Sequence, residues 1–257
     1  MITKPIKIAT RGSKLALTQA NMVAALLGEP SEICIIKTTG DIKAEESLKK
    51  LGGKEVFTKE IDSALLNGSA DIAVHSLKDV PGITHPELEI IACLPREDAQ
   101  DILLGAESID ELKQGAVLGS SSPRRKAQLL HLRPDLNVIE FRGNVETRIK
   151  KLQDGVVDAT ILAAAGINRL HINIPLKWCY LPKLIPAVGQ GIICVMARKG
   201  NFKFPQLNHQ PSFIAAIAER AALAAFGGNC YTPIAAHAKI DNGLKIDGFI
   251  ASEDGKK

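Results

Sequence analysis

The feature that most restricts what this chain can fold into is a repeated alternation of short apolar runs with helix-forming stretches, joined by capped turns. "IKIAT" is followed by "SKLALTQANMVAALLG", with Ser13 placed to cap a helix and Gly28 placed just past its end. "EICIIKTT", "FTKEIDSALLNG", "DIAVH" and "LEIIACL" continue the series as strand, helix, strand and strand. The pattern restarts after "PREDAQ": strands "DILLG", "AVLGS", "NVIEF" and "DATIL" alternate with helices "SIDELKQ", "SPRRKAQLLHL" and "NVETRIKKLQDG". Strands that alternate with helices are joined by crossovers, so the sequence predicts an α/β architecture with largely parallel sheets. The restart predicts a second α/β unit beginning near Arg96.

The remainder reads differently. "IPAVGQGIICVMAR" is an apolar strand, and the proline-bearing stretch 202–211 is a linker to the helix "SFIAAIAERAALAAF". "IAAHAKIDNGLKIDGFIAS" is two strands about an Asn-Gly turn, a β-hairpin. Residues 40–55, polar and punctuated by glycine, are expected to form a mobile surface loop. At 257 residues and 46% hydrophobic content the chain exceeds one compact domain, which favours two or three. No run of about 18 apolar residues is present to span a bilayer. Met1 to Pro5 leads into an apolar strand rather than a signal-peptide core, so a cytoplasmic protein without membrane contact is expected.

Charge and chemistry-bearing residues narrow the function. A formal net charge of +4 gives no support to a whole-molecule grip on nucleic acid, so any functional basicity must be local. Five cysteines without a CxxC and six histidines without ligand spacing argue against a disulfide framework and a metal site. In open α/β sheets ligands gather where strands end and the next helix begins. Three such turns carry arginine: Arg11 beside Ser13 in "ATRGS"; Arg124 and Arg125 behind Ser122 and Pro123 in "GSSSPRRK"; Arg142 before Asn144 in "FRGNVETR", with Arg148 a turn on. Lys78 in "HSLKDVP" adds a cation at a fourth strand end. A helix N-terminus with a guanidinium is an anion site, but one such turn alone is better explained by a surface ion pair or an arginine facing water. Several together argue for a ligand with many negative charges.

Asp79 is the exception in this basic set. Opposite charges nearby are expected to keep it ionised, fit to stabilise a cation or to accept from a substrate N–H. An Asx turn leading into Pro81 is about as consistent with its spacing. No Walker loop, GxGxxG or Ser-His-Asp order is present, and the glycines of "VGQGI" suit a domain crossover.

The stretches "GGKEVFTKEIDSALLNGSADIAVHSLKDVP", "GSSSPRRKAQL", "FRGNVETRIKKL", "ILAAAGINRL", "PAVGQG" and "AERAALAAFGGNCYTPIAAHA" together resemble, in order from Ile8 to about Gly255, the successive signatures of the porphobilinogen deaminase (hydroxymethylbilane synthase) family. The resemblance implies a transferase of tetrapyrrole biosynthesis that condenses four porphobilinogen molecules head to tail and releases ammonia. It implies two lobes similar to type II periplasmic binding proteins and a small α+β third domain. The corresponding boundaries are 1–95 with 188–206 for the first, 96–187 for the second and 207–257 for the third.

The resemblance also implies a dipyrromethane cofactor attached by a thioether to Cys230. It places the catalytic aspartate at Asp79, stabilising the azafulvenium cation formed on deamination. Lys78, Ser122, Arg124, Arg125 and Arg142 are implied at the cofactor, and Arg11, Ser13, Arg148 and Arg169 at the substrate. Lys54 and Phe57 match loop residues that close over the site. A monomer is implied, working on a small molecule and not on nucleic acid. Porphobilinogen carries carboxylates, which agrees with the basic turns read independently.

A thiol in a glycine turn just beyond a helix, as in "FGGNCYTP", is accessible enough for thioether chemistry, whereas the other four cysteines sit in or beside apolar runs. Crossovers near Arg96 and Val188 are expected to allow hinge motion during elongation. Two departures from the family pattern stand out. Pro123 replaces a usual apolar residue, and the sequence stops at Lys257 where relatives continue, which predicts an exposed hairpin edge and weaker cofactor retention. The rival reading is a non-catalytic two-lobed binding protein for a polycarboxylate anion; it leaves Cys230 and the third segment unexplained.

Overall fold

The computed structural model describes residues 4–42, 56–227, 232–252 and 254–255. Two five-stranded sheets share one pattern. In the first, β1 (Ile6–Thr10), β2 (Ser31–Ile35), β3 (Ile72–Ser76), β4 (Leu88–Cys93) and β10 (Ile193–Arg198) lie in the order β2-β1-β3-β10-β4. In the second, β5 (Asp101–Leu104), β6 (Val117–Gly119), β7 (Asn137–Ile139), β8 (Ala159–Ala163) and β9 (Trp178–Tyr180) lie in the order β7-β6-β8-β5-β9. In each, the first three strands are parallel and the fourth is antiparallel to its neighbours. That fourth strand is the one next to a crossover: β5 follows the chain's exit from the first sheet, and β10 follows its return. The two lobes implied by the resemblance are therefore present, each built on the same doubly wound plan.

Helices cover the sheets. α1 (Lys14–Leu27) follows β1, and α2 (Thr39–Ile42) and α3 (Lys59–Leu66) precede β3. In the second lobe α4 (Pro123–Leu132), α5 (Val145–Gln153) and α6 (Ala164–Leu170) follow β6, β7 and β8. Burial alternates along the strands as a two-sided core requires. Ile8, Ile72 and Val74 join one apolar cluster with α1, while Ala9, Ala73 and Leu77 join another with α3 and α7 (Gln210–Ala225). β11 (Ile234–Ile240) and β12 (Leu244–Ile250) form the expected hairpin, turning at Asn242 and Gly243, both with positive φ. β12 is largely exposed and, among the described residues, pairs only with β11.

The two crossovers run side by side. The Leu94 N–H donates to the Ile193 carbonyl (3.0 Å) and the Glu97 N–H to the Gly191 carbonyl (3.0 Å). Gly191 sits at φ +85, and a Cβ there would lie 2.2 Å from the Glu97 carbonyl oxygen. Only glycine allows the strands to approach so closely, which is the crossover role read from "VGQGI".

Three local expectations change. "SIDELKQ" forms only a single 3-10 turn, Ile109–Glu111, capped by Ser108, because two acidic residues and a lysine leave it one narrow apolar edge. "IPAVGQG" is not strand; the strand starts at Ile193, after turns at Gly189 and Gly191. Thr39–Ile42 is a one-turn helix rather than loop, and residues 43–55, which carry the rest of that expectation, lie outside the described residues.

Candidate active site

The carboxyl ends of β1 and β3 face those of β6, β7 and β8 across a cleft of about 540 Å³, which α7 and β11 close on a third side through Leu223, Thr232 and Ile234. The size is that of a small-molecule site. Three helices point their N-termini at it, each capped as the sequence predicts. Ser13 accepts from the Ala16 N–H (3.3 Å), Ser122 from the Arg125 N–H (3.4 Å) and Asn144 from the Thr147 N–H (2.8 Å). Pro123 is at the first position of α4, where its missing N–H costs nothing.

Six cations line the cleft, Arg11, Lys78, Arg124, Arg125, Arg142 and Arg148, against two carboxylates, Asp41 and Asp79. Some of the cations have internal partners. Arg11 donates from Nη2 to Asp41 (2.5 Å), and its guanidinium lies over the Phe57 ring at 4.2 Å. Arg124 and Arg125 share the fully buried Asp101, one oxygen each at 2.8 Å. Arg124 also donates to the Ile185 carbonyl (2.7 Å), and Arg125 to the Ile161 carbonyl (2.9 Å). Arg148 donates from Nε to the Gly143 carbonyl (2.9 Å). The ion-pair reading and the anion-site reading thus hold together: two arginines share one carboxylate, so net positive charge remains at the cleft wall.

Electrostatic crowding is visible in the titrating groups. Burial lowers the Lys78 ammonium to about 8; Arg125 and Arg124 push the same way, while Asp79 and Asp101 oppose them. Burial, then Arg125 and Arg142, bring Arg148 down to about 10, with Asp79 opposing. Burial alone would raise the Asp101 carboxyl, but the two guanidiniums outweigh it and hold it well below the carboxylate range. Asp79 is exposed to the cleft and engages no described residue in a hydrogen bond or ion pair.

Residues 6–206 match the family profile described as "Porphobilinogen deaminase, dipyromethane cofactor binding domain", and residues 213–257 match "Porphobilinogen deaminase, C-terminal domain". The chain belongs to the porphobilinogen deaminase family. It is 47% identical to the porphobilinogen deaminase of Syntrophomonas wolfei, covering 98% of this chain and 87% of that protein. The Rickettsia bellii protein of the same name is 46% identical, over 98% of this chain and 89% of the relative. The chloroplastic one of Oryza sativa is 45% identical, over 97% and 75%. Among solved structures, an ancestral cationic amino acid solute binding protein is a looser match, with TM-score 0.46 and 14% identity over 87% of this chain and 91% of that one.

The dipyrromethane cofactor of the porphobilinogen deaminase family is a polycarboxylate, and the described residues suit it. Arg124 Nε is buried without a hydrogen-bond partner among them, and the lining cations outnumber the carboxylates. Of the predicted residues, Arg11, Ser13, Phe57, Lys78, Asp79, Ser122, Arg124, Arg125, Arg142 and Arg148 all line the cleft. Arg169 does not. It turns to the crossover, donating from Nη2 to the Gly191 carbonyl at 2.6 Å. Lys54 and Cys230 lie outside the described residues, but Thr232, two positions after Cys230, lines the cleft.

Four residues of the site escaped the sequence reading: Asp101, Asp41, Gln190 and His75. Gln190 donates to Asp101 Oδ1 (2.9 Å) and to the Ala99 carbonyl (2.7 Å), tying the second crossover to the arginine pair. One signal for Asp101 was available: a carboxylate at the head of the wholly buried "DILL" must find a cation.

Proposed function

We propose that the chain is a transferase that condenses four porphobilinogen molecules head to tail into hydroxymethylbilane, releasing ammonia, with a dipyrromethane held at Cys230. The observation that carries the reading is Asp79: an exposed, uncommitted carboxylate set among six cations in one cleft. Porphobilinogen brings two carboxylates and an aminomethyl group. When its C–N bond breaks with the electron pair leaving on nitrogen, positive charge stays on the methylene carbon and pyrrole ring. Asp79 has the sign and exposure to stabilise that charge, and it can accept from the pyrrole N–H.

The dipyrromethane, when bound, supplies the pyrrole end from which the product is extended. Lys78, Ser122, Arg124, Arg125 and Arg142 hold its carboxylates, and Arg11, Ser13 and Arg148 hold those of the substrate. Phe57 backs the Arg11 guanidinium, and Lys54 enters the reading through its match to a loop residue of the family. Arg169 enters this reading through the crossover it grips. Cys230 is favoured as the tether by contrast with the four described cysteines. Burial pushes Cys93 up to about 12 and raises Cys194, Cys34 and Cys179, which makes each a poor nucleophile.

The division into 1–95 with 188–206, 96–187 and 207–257 belongs to the same reading, supported by the three separate sheets. So does a monomer working in the cytoplasm; among the described residues no helix is long and apolar enough to cross a membrane. The test is turnover of porphobilinogen with one ammonia released per pyrrole. Asp79→Asn should nearly abolish it while circular dichroism and melting stay those of the wild type. Near-normal turnover by that variant would sink the assignment.

A further inference from the structure

Beneath Asp79 the cleft floor opens into a recess of about 50 Å³. Its walls include Arg11, Ser13, Gln19, His75, Ser76 and Asp79. One water needs about 10–15 Å³ by this measure, so the recess takes a few water-sized molecules. Gln19 and Ser76 are engaged with each other: the Gln19 amide donates to Ser76 Oγ (2.8 Å), and Ser76 Oγ donates to Gln19 Oε1 (3.1 Å). His75 is 5% exposed, and its buried Nε2 has no hydrogen-bond partner among the described residues. A buried polar atom left without a partner is destabilising, so an imidazole kept in that state on a recess wall points to a small polar ligand.

Resting on the function proposed above, we infer that this recess receives the aminomethyl nitrogen of porphobilinogen and the ammonia that leaves from it, with His75 as hydrogen-bond acceptor. The substrate amine is protonated near neutral pH. Its C–N bond breaks with the pair going to nitrogen, which departs as neutral ammonia and later takes a proton from water. The positive charge passes to the carbon that faces Asp79. Such a departure needs the amine to stay protonated until the bond breaks. Burial, then the Arg11 charge, hold His75 down at about 4, so it is uncharged and only weakly basic. An acceptor of that kind takes a hydrogen bond from an ammonium group without removing its proton. A stronger base in the same place would leave an amine that departs poorly.

The test compares porphobilinogen with an analogue that carries a methyl group in place of the aminomethyl. His75→Phe fills the recess, and His75→Asn keeps an acceptor there. In the holoenzyme, kcat/KM for porphobilinogen should fall about tenfold or more in His75→Phe, the size expected for one hydrogen bond to a charged group. It should recover in part in His75→Asn, while the inhibition constant of the methyl analogue stays within about twofold of wild type in both. A parallel loss of analogue binding would assign His75 a structural role and overturn the inference. So would an unchanged kcat/KM in both variants, which would make the recess a water pocket. If wild-type protein released no ammonia at all, the functional reading would fall and this inference with it.

Discussion

Arg125 donates from both Nε and Nη2 to a single oxygen of Asp101, at 3.2 and 2.8 Å, and the carboxylate's other oxygen is taken by Arg124. One fully buried aspartate therefore fixes two cations of the cleft wall and, through Gln190, the crossover behind them. The arrangement orients the guanidiniums before any ligand arrives, and Arg124 keeps a donor to spare.

Asp101→Asn should destabilise the protein by about 3–5 kcal/mol at pH 7, since two buried guanidiniums lose their counter-charge. The folded-state pKa of Asp101 lies below its unfolded value, so its contribution is complete above about pH 4 and is lost as pH falls below that. Urea midpoints at a series of pH values should show the gap between wild type and variant narrowing below about pH 4. A gap that is constant down to pH 2.5 would refute the assignment.

Lys78 should appear in the alkaline limb of the kcat/KM profile. Its folded pKa of about 8 is below the ordinary lysine value, so the cleft loses one positive charge as pH rises through 8, and affinity for a carboxylate substrate falls. The same depression makes the unfolded chain bind the extra proton between about pH 8 and 10.4, so stability attributable to this group rises across that window. Lys78→Arg keeps its charge and should move the limb to higher pH. An unmoved limb would assign it to another group.

Glu219 on α7 should prove to be the anchor of the third unit. It is fully buried and accepts from Arg96 (2.5 Å), the Gly189 N–H (2.6 Å) and the Ala238 N–H (2.7 Å). It thereby joins both crossovers to the helix and strand that flank Cys230. Glu219→Ala should cost about 3–5 kcal/mol in chemical denaturation, because the half-buried Arg96 loses its carboxylate and the Gly189 and Ala238 N–H groups lose their acceptor. A loss under about 1 kcal/mol would mean that packing alone holds the unit.

The sequence was most readable where structure is local. Ser13, Ser122 and Asn144 announce three helix starts because a cap bonds within three residues, and these starts place the basic turns at the cleft. Asn242-Gly243 announces the hairpin for the same reason. What depends on distant partners was not readable. Asp101 is 24 residues from Arg125, so nothing in "PRRK" reveals whether its charges are free or paired. Arg169 sits in the last turn of α6, and its side chain turns to Gly191, 22 residues away. β9 is three residues long with exposed Trp178 and Tyr180, a pattern that carries no core signal. His75 sits within "DIAVH" as an ordinary strand residue, and only the tertiary structure shows an unpartnered ring nitrogen on the wall of a recess.

The central claim is that this cleft works on a dipyrromethane tethered to Cys230, and intact mass tests it most directly. The purified wild-type protein should exceed the mass of its polypeptide by one dipyrromethane, and Cys230→Ser should show the polypeptide alone. A bare wild-type mass, or an adduct that survives in Cys230→Ser, would contradict the account.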